Sequence, residues 1–134
     1  MANQKIMVIS PDSNQAGSMV ACLQGAGYRA AAAEVSQGAL DDLCRQNPDL
    51  LLLEWQLPDL SALSLARQIR QDGCLSKVPV ILMGAGIGEE DALLALDAGA
   101  DQCWREPFNP RVLVARVRAF LRGDVNRRNP EGAN

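Results

Sequence analysis

Four consecutive leucines, Leu50 to Leu53, stand between Pro48 and Pro58 and run straight into Glu54 in the stretch DLLLLEWQLPDL. A surface strand alternates apolar and polar residues, whereas an unbroken apolar run bounded by prolines fits a strand buried on both faces. Such a strand needs helices packed above and below it, which restricts the chain to a layered α/β arrangement around a mostly parallel sheet. A carboxylate at the end of that strand needs a reason.

The rest of the chain has the alternation that a layered sheet requires. Five apolar runs, KIMVI (5–9), YRAAAA (28–33), DLLLLE (49–54), VPVILM (78–83) and DQCW (101–104), alternate with amphipathic stretches predicted as helices over 13–26, 36–46, 60–72, 88–99 and 110–122. Ala16, Met19, Val20 and Leu23, and again Leu113, Val117, Phe120 and Leu121, recur at intervals of three and four and form faces suited to cover a sheet. Asp12 or Ser13, Ser36 and Asn109 are candidate N-caps, with Pro110 in the first turn of the last helix. Gly25, Gly27, Gly73, Gly99 and Gly123 stand where helices end and a left-handed residue costs little. Residues 1–122 are predicted as one domain, and the polar stretch 123–134 as a tail or the start of a linker.

Composition narrows the function classes. With 48% hydrophobic residues in 134, the chain can bury a core without metal or cross-links, and a net charge of −3 opposes the basic face that direct nucleic-acid binding requires. Cys22, Cys44, Cys74 and Cys103 form no C-x-x-C pair and no histidine accompanies them, so free thiols in a reducing compartment are expected rather than a zinc site or disulfides. No signal peptide or membrane-spanning run is apparent, and a cytoplasmic protein is expected.

In an open parallel sheet, reactive groups collect beyond the carboxyl ends of the strands. The sequence places Ser10, Pro11 and Asp12 after the first strand, Glu54 at the end of the third, Gly84 after the fourth, and Glu106 after the fifth. A Glu54–Glu106 pair predicts a raised pKa for one carboxyl, or neutralisation by Arg105. A paired-carboxylate enzyme is disfavoured because no histidine, hydroxyl nucleophile or lysine base accompanies the pair. The stretch LMGAGIGEED has the glycines of a nucleotide loop at the wrong spacing, and Glu89, Glu90 and Asp91 would repel a phosphate.

The segments KIMVISPDS, PDLLLLEWQLPDLSALSLARQIR, VPVILMGA, LDAGADQCWREPFNP and LVARVRAFLR follow one another in an order and spacing that resembles the receiver domain of two-component response regulators, of the OmpR/PhoB type. The resemblance covers residues 5–122 and implies a flavodoxin-like, doubly wound (βα)5 fold, three-layered, with five parallel strands in the order 2-1-3-4-5. It also implies phosphoryl transfer to an aspartate at the end of the third strand, with magnesium held by an acidic pair after the first strand, and a hydroxyl residue and a lysine to receive the phosphoryl oxygens. Each of those positions departs here: Ser10 and Pro11 replace the acidic pair, with Asp12 one position late; Glu54 replaces the acceptor, Gly84 the hydroxyl residue and Glu106 the lysine. Cys103 stands at the position of the aromatic residue that moves on activation.

These departures predict a vestigial pocket that takes no phosphoryl group, with no cofactor or metal assigned, because a reacting group misplaced by about 1 Å costs on the order of a hundredfold in rate. Glu54 is read as a relic rather than an imitation of the phosphorylated state. The expected function is then a surface: a phosphorylation-independent receiver acting by protein interaction, governing a C-terminal DNA-binding domain outside this chain. The alternatives are a phosphoacceptor still active on Glu54 or Asp59, and a stand-alone adaptor docking a signalling partner.

On the fourth helix, Glu90 and Asp97 share a face with Leu93 and Leu94 between them, and on the fifth Arg111, Arg118 and Arg122 form a stripe. In the resembled family the fourth helix, fifth strand and fifth helix form a twofold dimer interface. Asp97, Asp101, Arg116, Arg118 and Arg122 match its charged positions, and Gln102 departs from them. A homodimer through this edge is expected.

Overall fold

The computed structural model describes residues 4–33, 39–57, 61–106 and 109–123. Strands β1 (Lys5–Ile9), β2 (Arg29–Ala33), β3 (Leu50–Glu54), β4 (Val80–Gly84) and β5 (Gln102–Arg105) alternate with helices α1 (Ser13–Gly25), α2 (Ala39–Gln46), α3 (Ala62–Gln71), α4 (Glu89–Ala98) and α5 (Pro110–Arg122). The sheet is parallel throughout and has the order β2-β1-β3-β4-β5.

The leucine run is β3, at the centre of this order, and its residues divide by parity. Leu51 and Leu53 pack with Met7, Ile9, Val80, Leu82 and Cys103 under residues of α2, α3 and α4. Leu50 and Leu52 pack with Ile6, Val8, Ile81, Met83 and Trp104 under α1 and α5. Successive strand residues point to opposite faces, so a run of four leucines feeds both cores. All four are fully buried.

Helix ends follow local chemistry. Asp12 caps α1 by accepting from the N–H groups of Asn14 (3.0 Å) and Gln15 (3.1 Å), and Asn109 caps α5 through Val112 N–H, with Pro110 following. Gly99 and Gly123 end α4 and α5 with positive φ. Gly73 does not end α3 in this way: Asp72 closes the helix in extended geometry, and its carboxylate takes the N–H groups of Cys74 and Leu75. The predicted cap Ser36, the second acceptor candidate Asp59 and the tail from 124 onward lie outside the described residues.

Two long-range links correct the sequence reading. Cys44, at the end of α2, and Cys74, after α3, form a disulfide with Cα atoms 5.9 Å apart, where free thiols were expected; Cys22 and Cys103 carry no disulfide. The partners are 30 residues apart in sequence and meet because the last turn of α2 lies against the loop that leads from α3 to β4. Asp101, expected on an exposed interface, is buried. Its Oδ2 accepts from Arg70 (2.7 Å) and from the N–H of Val80 (2.9 Å). Arg70 also donates to the carbonyls of Gly99, Ser76 and Val78, joining α3, the α3–β4 loop and the α4–β5 turn.

Candidate functional site

The carboxyl ends of β1, β3, β4 and β5 open onto a cleft of about 240 Å³ lined by Ser10, Pro11, Asp12, Gln15, Glu54, Gln56, Ala85 and Glu106. The residues singled out in the sequence therefore gather in one place. Gly84 stands at its wall: a Cβ built there would lie 2.7 Å from Glu54 Oε2 and 2.9 Å from Trp55 Cβ. Cys103 is fully buried beneath α3 and α4.

Among the described residues the lining has three carboxylates and no cationic side chain. Glu54 is buried, and its Oε2 accepts weakly from Gln56 N–H at 3.4 Å. Glu106 Oε1 accepts from Gln15 Nε2 at 3.0 Å, while Oε2 is buried with no hydrogen-bond partner. Burial pushes the Glu54 carboxyl above its ordinary pKa of 4.5, with the charge of Glu106 and, least, that of Asp12 adding to the rise, against the N–H groups of Gln56 and Trp55. The raised carboxyl expected of the pair is thus Glu54.

A raised folded-state pKa means that Glu54 contributes stability below pH 4.5, and that this contribution is lost as pH rises through the folded value. Glu54→Gln removes the charge while keeping the shape. The variant is expected to match the wild type in acid and to exceed it in stability toward neutral pH. Parallel denaturant titrations across that window check this, and equal pH profiles for the two proteins would contradict it.

The fit of a divalent ion fails on donor chemistry. Magnesium needs several oxygen ligands in octahedral array. Pro11 has no donor, and Asp12 is engaged in capping α1 through Oδ1. No group of three His, Cys, Asp or Glu suited to a metal occurs among the described residues.

The surface residues expected to form one interface divide between two faces of α5. Leu113, Val117 and Phe120 turn inward. On one side Arg116 lies over the Trp104 ring, 5.8 Å from its centroid, and Trp104 Nε1 donates to buried Gln102. On the other, Arg111 and Arg118 border a groove of about 380 Å³ between α5 and the end of α1. Arg122 is exposed. On α4, Glu90, Leu93, Leu94 and Asp97 are all exposed, with Leu93 at 55% and Leu94 at 47%. The sequence spacing identified both stripes but not the direction of the α5 stripe, nor that Asp101 and Gln102 face inward.

Residues 6–118 match the response regulator receiver domain family. The chain is 34% identical over 122 residues to the phosphate regulon transcriptional regulatory protein PhoB of Pseudomonas aeruginosa, covering 91% of this chain and 53% of that protein. It is 36% identical over 119 residues to the DNA-binding response regulator MtrA of Mycobacterium tuberculosis, covering 89% and 51%. The chain thus spans about half the length of the curated relatives it matches. Among solved structures, the OmpR/PhoB homolog DrrB of Thermotoga maritima superposes with a TM-score of 0.77 at 31% identity, covering 92% of this chain and 54% of that one. A two-component response regulator from Clostridium difficile gives 0.80 at 27%, covering 89% and 96%.

Proposed function

Since this chain belongs to the response regulator receiver domain family, we propose that it is a receiver whose output does not depend on phosphorylation and is delivered by contact with another protein. One observation carries the reading. The Glu54 carboxylate and Trp55 Cβ lie against Gly84 so closely that no residue with a Cβ fits there without displacement, so a glutamate at the acceptor position in this geometry goes with a residue that has no hydroxyl. With Pro11 offering no metal ligand and Glu106 where a lysine is expected, the described lining opposes an incoming phosphoryl group, whose transfer depends on positive charge around its oxygens.

The contact surface we assign is the edge formed by α4, β5 and α5, with a second copy as the partner. Exposed Leu93 and Leu94 supply apolar area between two acids, and Arg116 supplies the opposing charge. Because the relatives are named as transcriptional regulatory and DNA-binding proteins of about twice this length, the domain is proposed to govern a C-terminal DNA-binding domain in the cytoplasm, without touching nucleic acid itself. Among the described residues no helix is long and apolar enough to cross a membrane.

Light scattering with and without acetyl phosphate and magnesium tests the reading. Assembly is expected to be the same in both, and a shift in mass on adding the phosphodonor would overturn it.

A further inference from the structure

Glu90, Leu93, Leu94 and Asp97 occupy positions i, i+3, i+4 and i+7 of α4. Arg111, Val114, Ala115 and Arg118 occupy the same four positions along α5. One helix therefore presents acid, two apolar residues and acid; the other presents base, two apolar residues and base. In each the charges stand roughly 10 Å apart along the axis. Among the described residues none of Glu90, Asp97, Arg111 and Arg118 takes part in an ion pair.

The α5 stripe borders the groove of about 380 Å³, whose remaining walls are Cys22, Gly25, Ala26 and Pro110. Among the described residues no acidic side chain lines it. The α4 stripe exposes two leucines. The two surfaces lie on opposite faces of the sheet, since α4 covers the core that contains Leu51 and Leu53, and α1 and α5 cover the one that contains Leu50 and Leu52.

We propose that the outer face of α4 of one copy docks into the α1–α5 groove of a second copy, head to tail. Leu93 and Leu94 enter the apolar floor at Val114 and Ala115, while Glu90 and Asp97 meet Arg111 and Arg118 at the two ends. Equal spacing matches both charge pairs at once, and because each stripe carries one sign at both ends, the helices satisfy them in either direction. A contact between two different surfaces leaves one groove and one α4 face open in every dimer, so it propagates into longer chains or closes as a ring. The inference rests on the reading that α4 meets a second copy; the groove contact and the twofold edge contact compete for the same outer face of α4, so any one α4 face makes one or the other.

The test uses two charge-reversed variants of the whole chain, Glu90→Arg/Asp97→Arg and Arg111→Glu/Arg118→Glu, each first shown by circular dichroism to be folded. Light scattering at low salt is expected to show wild-type mass rising with concentration past the dimer, each variant alone as a monomer, and assembly regained on equimolar mixing. High salt should weaken all of these contacts, because screening acts within a few ångströms at about 1 M. A mixture that stays monomeric would overturn the proposal. So would an Arg111→Glu/Arg118→Glu variant that still dimerises alone; if Arg116→Glu then abolishes that dimer, the edge contact stands and the groove contact falls. A wild type that stays monomeric at all concentrations overturns both.

Discussion

Replacing Arg70 with alanine is expected to lower the free energy of unfolding by about 3–5 kcal/mol, the loss found when one partner of a buried ion pair is removed. From α3, Arg70 donates to acceptors on two other segments: the carbonyls of Ser76 and Val78 in the α3–β4 loop, and the Gly99 carbonyl and Asp101 carboxylate in the α4–β5 turn. Without the guanidinium, Asp101 keeps only the Val80 N–H as a partner for its Oδ2 in a site where both side chains are largely shielded, at 18% and 9% exposure. The carbonyls lose their donors as well. In urea, with a slope of about 2 kcal/mol/M, the midpoint should fall by roughly 1.5–2.5 M. Arg70→Lys should recover little of this, because one ammonium cannot span the carboxylate and three carbonyls that the planar fork reaches. A loss under about 1 kcal/mol, the range of exposed pairs, would show that the network is not held in solution.

Cutting the Cys44–Cys74 link is the second large effect. A cross-link across 30 residues of sequence restricts the unfolded chain, and loops of that size correspond to about 2–4 kcal/mol. A thiol reductant is expected to lower wild-type stability by that amount and to leave a Cys44→Ser/Cys74→Ser variant unchanged, since that variant has already lost the cross-link. Alkylation of the denatured, unreduced protein should label two thiols, those of Cys22 and Cys103, and reduction should raise this to four. Four labelled thiols before reduction, or stability indifferent to the reductant, would contradict the disulfide.

Both links join residues about thirty positions apart, and neither was visible in the sequence. Periodicity states which face of an element turns inward, and so Leu50 to Leu53 and the helix stripes were legible, while the strand order followed from the family resemblance. It does not state which loops meet. Arg70 was not singled out, and Asp101 was read as an interface acid, because an ion pair between residues 31 positions apart leaves no local pattern. Cys44 and Cys74 were misread for the same reason, and the general expectation of free thiols in a cytoplasmic chain then decided against them.

The cleft was legible because its residues immediately follow strands, and parallel strands deliver their carboxyl ends to one side of the sheet. Its internal arrangement was not. Gln15, from the first turn of α1, reaches Glu106 across 91 residues and meets only one of its oxygens. The steric match of Glu54 to Gly84 needed coordinates, since it depends on β3 and β4 lying side by side with Glu54 opposite Met83, one residue before the glycine. On α5 the seven-residue spacing of Arg111 and Arg118 was correct. Only the inward direction of Leu113, Val117 and Phe120 could separate their face from that of Arg116.

These arrangements give one account of the site. On the proposed reading the cleft keeps its place at the carboxyl ends of the strands, carries Glu106 where the resemblance places a lysine, and holds Glu54 against Gly84 where the resemblance places a hydroxyl residue. The same reading assigns recognition to the outer faces of α4 and α5, where apolar and charged residues are open to solvent.

Intact-mass spectrometry after incubation with acetyl phosphate and magnesium tests this account most directly. The predicted result is an unmodified chain at every time point; a stoichiometric, base-labile phosphoryl adduct on Glu54 would contradict it.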